Sequence, residues 1–401
     1  MNLRDTPEQA RFRSDVRAFL AANLPSGWGT PALRAAQSGE ERIAFGRAWQ
    51  RKLHDGGFAG LEWPRAFGGR GASAIESLIF GEEYARVRAP ELVQLAVGTH
   101  LVGPTLIACG TDEQKERHLA AILRGESVWC QGFSEPNAGS DLASLRTRGD
   151  VQGDNVVVTG QKIWTSFAQH ADWCILVVRT EANSQRHRGL SFLLVDMKSP
   201  GITIRPLREI TGEAWFNEVF FDAVRVPMLN LVGSLHRGWD VIVTTLAHER
   251  GSSAAFPRLA VTLAQLTALA RRTPSAIGGG SAAADPRIRQ QLAQYWTEVA
   301  VLRMSAYRSA SALEAGGVPG PEGSTLKLAW SELEQRVMDT AIEIGGLAGL
   351  LAEGEAEAVD AGFWGRELLW SRAATIYAGT SEVQRNILAQ RVLGLPRVAR
   401  A

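Results

Sequence analysis

The segments that decide the fold are residues 129–147, WCQGFSEPNAGSDLASLRT, and residues 160–173, GQKIWTSFAQHADW. Both mix small, polar and aromatic residues, and both lie among strand-like runs. Such residues can bring backbone N–H groups close to an anion and can set a flat ring against a flat ligand. A Pro-Asn-Ala-Gly-Ser-Asp run is also a turn by composition alone, so an ordinary loop is the competing interpretation.

The sequence around these segments predicts a β region of about a hundred residues. Apolar and β-branched runs, each bounded by Gly, Asn, Asp or Pro, occur at residues 156–159, 173–178, 190–195 and 217–226. Short runs of this composition between turn residues are typical of strands. We therefore expect a β-sandwich or barrel-like domain here.

Helical patterns flank the β region on both sides. At the N-terminus, Thr6, Pro7 and Gln9 have the spacing of a capping box with proline at the first helical position. Residues 275–285, SAIGGGSAAAD, have no periodicity and indicate a flexible connection between two helices. Apolar residues at helical spacing follow the capping box and recur near the C-terminus: Phe12, Val16, Phe19 and Leu20, then Trp330, Leu333, Val337, Ala341 and Ile344, then Leu388, Val392 and Leu395.

The order of these patterns predicts an α+β multidomain protein. We expect an N-terminal helical domain at residues 1–125, a central β domain at 126–232 and a C-terminal helical domain at 233–401. A chain of 401 residues is longer than a single hydrophobic core usually supports, which agrees with several domains.

The composition argues against several other classes of protein. Hydrophobic residues make up 45% of the chain and charged residues 21%, which argues against disorder and against a membrane-dominated protein. A net charge of +1 without runs of like charge argues against nucleic-acid binding. Cys109, Cys130 and Cys174 have neither metal-ligand nor disulfide-framework spacing. We expect three buried thiols, no metal, no signal peptide, no membrane helix and a cytoplasmic location.

Three separated motifs give the chain a resemblance to the acyl-CoA dehydrogenases. Residues 133–141, FSEPNAGSD, are similar to the family's first flavin signature, and residues 160–166, GQKIWTS, resemble its second flavin strand. Residues 377–385, YAGTSEVQR, are similar to its C-terminal signature. The resemblance implies a C-terminal four-helix bundle, FAD as cofactor, an acyl-CoA as substrate and an electron-transferring flavoprotein as electron acceptor.

The resemblance also implies roles for individual residues around the flavin. Phe133 and Ser134 would contact the flavin ring, Trp164 would pack on it, and Thr165 would lie in the same stretch. The hydroxyl of Ser166 would sit beside the flavin nitrogen that receives hydride, where a hydrogen bond tunes the acceptor. For Ser134 and Ser166, an ordinary turn hydrogen bond is the alternative role.

Further residues are implied at the two ends of the bound ligands. Thr380 and Glu382 would approach the flavin phosphates and adenosine, with helix capping as the alternative for Thr380. Ser140 would lie along the CoA tail. The remaining residues implied to border the substrate are Arg250, Tyr377, Ala378 and Gly379.

The catalytic base is predicted from two departures that compensate for each other. Removing a proton alpha to a thioester carbonyl needs a carboxylate in a dry site. In many members that glutamate follows the tyrosine of the C-terminal signature, where this chain has Ala378. A second branch, which resembles the isovaleryl-CoA and long-chain dehydrogenases, has a small residue there and a Glu-Arg pair on an earlier helix. Glu249 and Arg250 match that pair, so Glu249 is the predicted base and Glu382 its weaker rival. A surface ion pair is the alternative for Glu249.

One part of the family pattern is incomplete. Common members carry an Arg-x-x-Phe-Gly-Lys-Pro motif, followed by a Gln, that reaches the FAD pyrophosphate of a neighbouring subunit. Here Arg271 and Thr273 match part of that motif, and the Phe, the Lys-Pro and the Gln have no match. Two assemblies stay open: a homodimer or homotetramer with a modified phosphate loop, and a heteromer with a related subunit.

The motifs leave two further questions open. A flavoprotein oxidase, a monooxygenase and an accessory flavin-binding protein could use the same fold, although acyl-CoA oxidases resemble a longer chain and the net charge argues against a nucleic-acid-associated variant. The acyl group could be short, branched, long, dicarboxylic or a steroid side chain.

Overall fold

A computed structural model describes residues 4–26, 28, 39–250, 255–276, 278–317, 320, 321 and 323–396, without the side chains of residues 39, 249, 250 and 255. The chain forms two compact units. Unit 1 comprises Met1–Ala36, Ser73–Ala89 and Arg250–Ala401, and unit 2 comprises Gln37–Ala72 and Pro90–Glu249. These units divide the chain by spatial compactness, so the domain limits predicted at 125/126 and 232/233 stay a prediction.

Helices make up most of unit 1, and unit 2 contains helices as well as strands. In chain order the α-helices are α1 (Pro7–Asn23), α2 (Gly39–Asp55), α3 (Ala74–Arg86), α4 (Val93–Ala96), α5 (Gly103–Cys109), α6 (Asp112–Leu123), α7 (Gly238–Arg250), α8 (Ala255–Arg272), α9 (Pro286–Glu314), α10 (Gly323–Gly345), α11 (Phe363–Ala374) and α12 (Ser381–Ile387). Segments Val97–Val102 and Leu388–Val392 are π-helices. Short 3-10 helices span Arg65–Phe67, Leu142–Ser144, Ala168–His170, Met228–Asn230, Ala282–Ala284, Gly346–Leu350 and Val359–Gly362.

The helices of unit 1 form around the apolar faces that the sequence predicts. The capping box of Thr6 and Gln9 is present at the start of α1, whose Phe12, Val16 and Leu20 are buried. The core of the unit is built mainly from α8, α9 and α10, and it includes four residues of the predicted stripe: Leu333, Val337, Ala341 and Ile344. The shorter stripe differs, because Val392 and Leu395 are exposed. Regularly spaced apolar residues predict an apolar helix face, but they do not show whether another element packs against it.

Unit 2 contains one eight-stranded sheet. Its strands are β1 (Trp129–Gly132), β2 (Arg148–Gln152), β3 (Asn155–Lys162), β4 (Trp173–Arg179), β5 (Leu190–Asp196), β6 (Ile202–Leu207), β7 (Phe216–Pro227) and β8 (Leu231–Val232). The order is β6-β7-β3-β2-β4-β5-β8, and β1 pairs in parallel with β4. The parallel pairing of β2 with β4 consists of Arg148 and Arg179 alone.

This single pairing divides the sheet into two halves. One half holds β6, β7, β3 and β2, and the other holds β1, β4, β5 and β8. Apolar side chains of β3, β4, β5 and β7 share one buried cluster. The halves therefore enclose a common core, as in the predicted sandwich or barrel-like domain.

All four predicted strand runs are strands in the structure, as β3, β4, β5 and β7. The strands that the sequence analysis missed are short or lie at edges. Strand β6 contains Pro206, a residue tolerated at a sheet edge, and β6 is the first strand of the sheet order. Strand β2 is a five-residue run of mostly charged and small residues, which offers no apolar alternation.

The cysteines of the described residues are all unbridged. Cys130 and Cys174 are buried and are register partners in β1 and β4, whereas Cys109 is half-buried. The prediction of three buried thiols is therefore wrong for Cys109. The described residues contain no His, Cys, Asp and Glu grouping that could hold a metal ion. None of the described helices combines the length and the apolar composition that crossing a bilayer requires.

His118 is a buried histidine between two tryptophans of unit 2. Its ring centroid lies 5.0 Å from that of Trp129 and 4.7 Å from that of Trp173, both edge-on. Its Nε2 is buried and has no hydrogen-bond partner among the described residues. Burial, followed by the charge of Arg117, lowers the pKa of His118 to about 4. The imidazole is therefore neutral in the folded protein near neutral pH.

We expect His118 to make the folded protein acid-sensitive. Between the unfolded pKa near 6.5 and the folded pKa of about 4, only the unfolded chain takes up the proton, so stability falls as pH falls. The loss approaches about 3 kcal/mol at pH 4. Urea unfolding of the parent and of His118→Phe at pH 7 and pH 4.5 measures it. The idea fails if both proteins lose the same stability between these two pH values.

Candidate active site

The two flavin motifs lie side by side in unit 2. Strand β1 leads directly into Phe133 and Ser134, and β3 leads into residues 163–166. The N–H of Ile163 donates to the carbonyl oxygen of Ser134 at 2.9 Å. The N–H of Thr165 donates to the carbonyl oxygen of Asn217 at 3.0 Å. The structure thus brings together two segments that are about thirty residues apart in sequence, as antiparallel and parallel pairing of neighbouring strands allows.

A buried ion pair holds these segments together. Lys162, fully buried at the end of β3, donates from Nζ to Glu135 Oε1 at 2.8 Å and to the Phe133 carbonyl at 3.0 Å. Glu135 also accepts hydrogen bonds from the backbone N–H groups of Arg146, at 2.6 Å, and Thr147, at 2.8 Å. The carboxylate therefore ties both ends of the first motif to the strand that leads into the second.

Burial and mutual attraction act in opposite directions on the pKa of each group in this pair. Burial alone would raise the pKa of Glu135, but the attraction of the Lys162 ammonium and the hydrogen bonds from Lys162, Thr147 and Arg146 together lower it. Burial lowers the pKa of Lys162, and the charge and hydrogen bond of Glu135 oppose that effect. Each ion is tolerated in the core because the other is present.

Trp164 presents a flat surface at this position. Its backbone is left-handed, with φ 58°, and its side chain is 58% exposed. Its ring meets Phe216 edge-on at 6.0 Å between centroids. A left-handed conformation is costly for a residue with a side chain and is commonest where function constrains the backbone. An exposed indole in a strained turn is a surface on which another ring can stack.

Polar groups without hydrogen-bond partners among the described residues lie in the same two segments as this indole. The hydroxyl of Thr165 is buried and has no hydrogen-bond partner among the described residues. Within the same part of the chain, neither the N–H nor the hydroxyl of Ser134 or of Ser166 is hydrogen-bonded. Buried polar groups are normally satisfied, so the Thr165 hydroxyl is an exception, while the half-buried Ser134 and Ser166 hydroxyls are free to bind a ligand. A flat ring with polar edges, such as that of a flavin, fits the exposed indole and these hydroxyls.

Phe133 and Ser140 are placed differently from each other. The Phe133 ring is buried and packs edge-on against Phe192 at 5.8 Å between centroids, and its carbonyl oxygen faces Lys162. Ser140 is exposed in the loop between Ala138 and the 3-10 helix Leu142–Ser144. Phe133 therefore supports the flavin segment from the core side, while Ser140 is accessible to a ligand.

The predicted base lies in the last turn of α7. Glu249 and Arg250 are the last two residues of that helix, and their side chains lie outside the described structure. The side chains of Val241 and Ile242 are buried. The hydroxyl of Thr245 in α7 and that of Thr105 in α5 are joined by a hydrogen bond of 2.8 Å. The helix that carries Glu249 is thus fixed to α5 four residues before the predicted base.

The C-terminal signature of unit 1 forms a tight left-handed turn. Ala378 and Gly379 have φ of 51° and 88°. Gln384, which is buried, donates from Nε2 to the Ala378 carbonyl at 2.8 Å. A Cβ on Gly379 would lie 2.6 Å from that nitrogen, so the turn needs glycine there. The N–H of Ala378 has no hydrogen-bond partner among the described residues.

Thr380 and Glu382 follow at the start of α12. The hydroxyl of Thr380 accepts from the N–H of Val383 at 3.2 Å, so the capping role considered for Thr380 is present. Glu382 lies in the first turn, and the hydrogen bonds of its own N–H and of Thr380 lower its pKa.

The ring centroid of Tyr377 lies 6.0 Å from Lys327 Nζ. A groove of about 540 Å³ beside α12 is lined by Glu332, Gln335, Arg336, Asp339, Thr375, Ile376, Thr380, Ser381, Glu382 and Arg385.

The partial phosphate motif lies at the C-terminal end of α8. Arg272 pairs with Asp360 at 2.5 Å, whereas exposed Arg271 has no partner among the described residues. The Thr273 carbonyl accepts from the N–H of Ala282 at 2.8 Å, and Pro274 pairs with Ser281. The predicted loop at residues 275–285 therefore includes a small closed hairpin and the 3-10 helix Ala282–Ala284.

Sequence reasoning missed three residues that shape these segments. Glu135 and Lys162 stood inside the quoted motifs, but their pairing was not predicted because residues 27 apart give no local signal. Gln384 stood inside the C-terminal signature in the same way. One signal could have indicated these contacts. A charged or amide residue in a motif of small residues often forms hydrogen bonds that hold the motif together.

Family models match most of the chain. The acyl-CoA dehydrogenase N-terminal domain model matches residues 6–126, the middle domain model residues 130–224 and the C-terminal domain model residues 236–393. Their order agrees with the structure, in which α-helices precede Trp129, strands lie between Trp129 and Val232, and α-helices follow from Gly238.

Relatives and solved structures agree with these matches. Acyl-CoA dehydrogenase IpdE1 of Mycobacterium tuberculosis is 43% identical over 399 residues, covering 97% of this chain and 98% of the relative. The Tcur3481-Tcur3483 steroid ACAD superimposes with a TM-score of 0.85 at 30% identity, covering 99% of this chain and 100% of that chain. The ChsE4-ChsE5 complex from Mycobacterium tuberculosis gives a TM-score of 0.85 at 33% identity, with the same coverage. The chain belongs to the acyl-CoA dehydrogenase family and is an enzyme of that family.

Proposed function

We propose that this enzyme uses FAD to dehydrogenate an acyl-CoA thioester to the trans-2-enoyl-CoA, with Glu249 as the base. The observation that supports the cofactor assignment is the exposed Trp164 indole, which lies in the same two paired segments as the Ser134, Thr165 and Ser166 hydroxyls, none of which has a hydrogen-bond partner among the described residues. The isoalloxazine ring of FAD would supply the two-electron acceptor for this reaction.

The proton transfer is assigned to Glu249. The thioester carbonyl acidifies the alpha C–H, and the Glu249 carboxylate takes that proton while the beta C–H bond breaks with its electron pair transferred as hydride. With FAD bound, its ring would accept the hydride, and the reaction would leave a protonated Glu249 and a new Cα=Cβ bond in the acyl chain. Support comes from the position of Glu249 in a helix that the Thr105–Thr245 hydrogen bond and buried Val241 and Ile242 hold in place.

The backbone at Ala378 is proposed to stabilise the negative charge that develops on the thioester oxygen. Gln384 holds the Ala378 carbonyl, and the N–H of the same residue has no partner among the described residues. A preorganised donor of this kind lowers the free energy of the enolate-like transition state. An alanine can occupy this position because the donor belongs to the backbone.

The test is an anaerobic titration of the purified enzyme with a panel of acyl-CoA thioesters, followed by the bleaching of the flavin absorbance near its visible maximum. The proposal expects bleaching by at least one member of the panel and formation of the matching enoyl-CoA. Electron-transferring flavoprotein and oxygen are then offered separately to the reduced enzyme. Faster reoxidation by oxygen would favour an oxidase or monooxygenase instead.

Two observations favour a heteromeric assembly. The solved relatives Tcur3481-Tcur3483 and ChsE4-ChsE5 each join two different chains. In this chain Arg272 is paired with Asp360 and Arg287 with Glu343, whereas Arg271 has no partner among the described residues and is available to meet a pyrophosphate at this end of α8. We therefore propose a heteromer with a related subunit that supplies the remaining phosphate contacts, as the alternative to a homodimer or homotetramer.

The amount of FAD bound by the chain expressed alone distinguishes the two assemblies. One FAD per subunit with turnover is the result expected of a homo-oligomer. Occupancy near half or less, restored when a related subunit is co-expressed, is the result expected of a heteromer.

A further inference from the structure

One lysine of unit 1 is buried beside the C-terminal signature and has no role in the chemistry above. Lys327 belongs to α10, and its Nζ is buried. No hydrogen-bond acceptor among the described residues meets this nitrogen. A buried amine without an acceptor costs free energy, so packing alone does not explain a lysine at this position.

The side chain of Lys327 contacts the ring of Tyr377. Its Nζ lies 6.0 Å from the ring centroid, at the outer limit of a cation–π interaction. Trp330, three positions further along and therefore on the same face of α10, lies against the same ring with 6.4 Å between centroids. A cation–π contact gains strength when the cation is removed from water. Two neighbouring side chains of α10 therefore hold the ring of Tyr377.

The residue that follows Tyr377 carries the backbone donor proposed for the thioester oxygen. Ala378 is left-handed, with φ 51°, and its carbonyl oxygen accepts from Gln384 Nε2 at 2.8 Å. The N–H of Tyr377 donates to the carbonyl oxygen of Ala373 in α11 at 3.1 Å. The turn is thus held at its start by α10 and α11 and at its end by α12, and the Ala378 N–H lies between these anchors.

Two carboxylates favour the ammonium form of Lys327. Burial lowers the pKa of Lys327, whereas the charges of Glu382 and Glu332 raise it. Both carboxylates line the groove beside α12. They favour the charged form, which is the form that a cation–π contact with Tyr377 requires.

We propose that Lys327 is a positioning residue, which holds the Tyr377 ring and thereby fixes the direction of the Ala378 N–H toward the thioester oxygen. The inference rests on the proposed function, because that N–H is the donor assigned there to the enolate-like transition state. A donor that is fixed in advance stabilises developing negative charge more than the neutral ground state. Lys327 touches neither substrate nor cofactor in this role and acts through Tyr377.

The test measures enolate formation in the site without turnover. The probe is acetoacetyl-CoA, whose small acyl group loses a proton from C2 and no hydride when it ionises. The readouts are the absorbance of the enolate and its long-wavelength charge-transfer band with the oxidised flavin. We expect Lys327→Met to lower the equilibrium constant for enolate formation about tenfold, which is less than the loss of a whole oxyanion donor. Lys327→Arg, which keeps a cation for the ring, should recover most of that loss.

A matched control and a second ligand separate positioning from general damage. Lys52 also lies over an aromatic ring, 5.9 Å from the centroid of Trp49 in α2, so Lys52→Met should leave the enolate equilibrium unchanged. Crotonyl-CoA, which binds without developing charge, should lose clearly less affinity in Lys327→Met than the enolate does. Equal losses for both ligands, or an unchanged enolate equilibrium, overturn the inference. Should Lys327→Met bind no flavin, Lys327→Gln takes its place with the same expected outcomes.

A double-mutant cycle tests the route through Tyr377. Tyr377→Leu removes the ring and should weaken enolate formation by itself. In that background Lys327→Met should have little further effect, because the two residues act as one unit. An undiminished tenfold effect of Lys327→Met in Tyr377→Leu contradicts the inference. A parent enzyme whose flavin is bleached by no acyl-CoA contradicts the proposed function instead.

Discussion

Glu249→Gln is expected to slow anaerobic reduction of the flavin by an acyl-CoA about 10³-fold, because glutamine keeps the size of the side chain and cannot accept the alpha proton. Binding of the acyl-CoA should change little, because the substitution removes the proton acceptor and keeps the size of the side chain. Stopped-flow measurement at saturating acyl-CoA isolates the reductive step from binding. Bound FAD and the spectral shift caused by the enoyl-CoA product show that the site is intact.

Glu382→Gln is the matched control for this experiment. Glu382 lies at the first turn of α12, is exposed and carries a lowered pKa, which suits a charged residue in water more than a base in a dry site. Its variant should therefore reduce at close to the parent rate. If Glu382→Gln stops bleaching and Glu249→Gln does not, the two assignments are reversed. Equal reduction by both variants and the parent excludes both carboxylates as the base.

Lys162→Met is expected to lower the free energy of unfolding by about 3–5 kcal/mol, because it leaves the Glu135 carboxylate buried without its cation. The variant should also bind FAD more weakly, since Lys162 and Glu135 join the two flavin segments. Urea unfolding measures the first effect, and the flavin-to-protein absorbance ratio of the purified enzyme measures the second.

The double variant Lys162→Met/Glu135→Gln separates the two contributions. Removing both charges together should cost clearly less than the sum of the single changes, because neither ion is then left uncompensated. Additive losses would mean that the pair is not coupled. The hydrogen bonds of Glu135 to Arg146 and Thr147 can be kept in part by glutamine, whose side-chain oxygen is also an acceptor.

The pH dependence of stability gives a further check on the same pair. The folded pKa of Glu135 lies below its unfolded value near 4.5, so its contribution is present above pH 4.5 and is lost as pH falls through the folded pKa. In Lys162→Met, burial remains and the neighbouring cation is absent, which raises the folded pKa. The variant should therefore lose less stability than the parent on acidification through pH 4.5, because a higher folded pKa leaves the unfolded chain a smaller excess of bound protons.

The sequence alone determined the architecture and most of the segments that matter. Periods of 3.6 and 2 are set by local geometry, so α1, α10 and the strands β3, β4, β5 and β7 could be predicted from apolar spacing. The motif segments at 133, 160 and 377 could be identified for the same reason, since the residues of each are contiguous. The edge strand β6 and the short strands β1, β2 and β8 could not, because pairing with a neighbour defines them more than their own composition does.

Only the tertiary structure decided how those segments are held and what surrounds them. The Lys162–Glu135 pair, the Gln384 brace on Ala378 and the Trp63–Thr99 contact each join residues whose proximity depends on the fold. Contacts between residues distant in sequence cannot be predicted from local periodicity, because a polar residue in a motif is equally compatible with exposure to solvent. The Lys162–Glu135 pair is the clearest case, because two charged residues 27 positions apart form one buried ion pair only where the end of β3 meets the segment after β1.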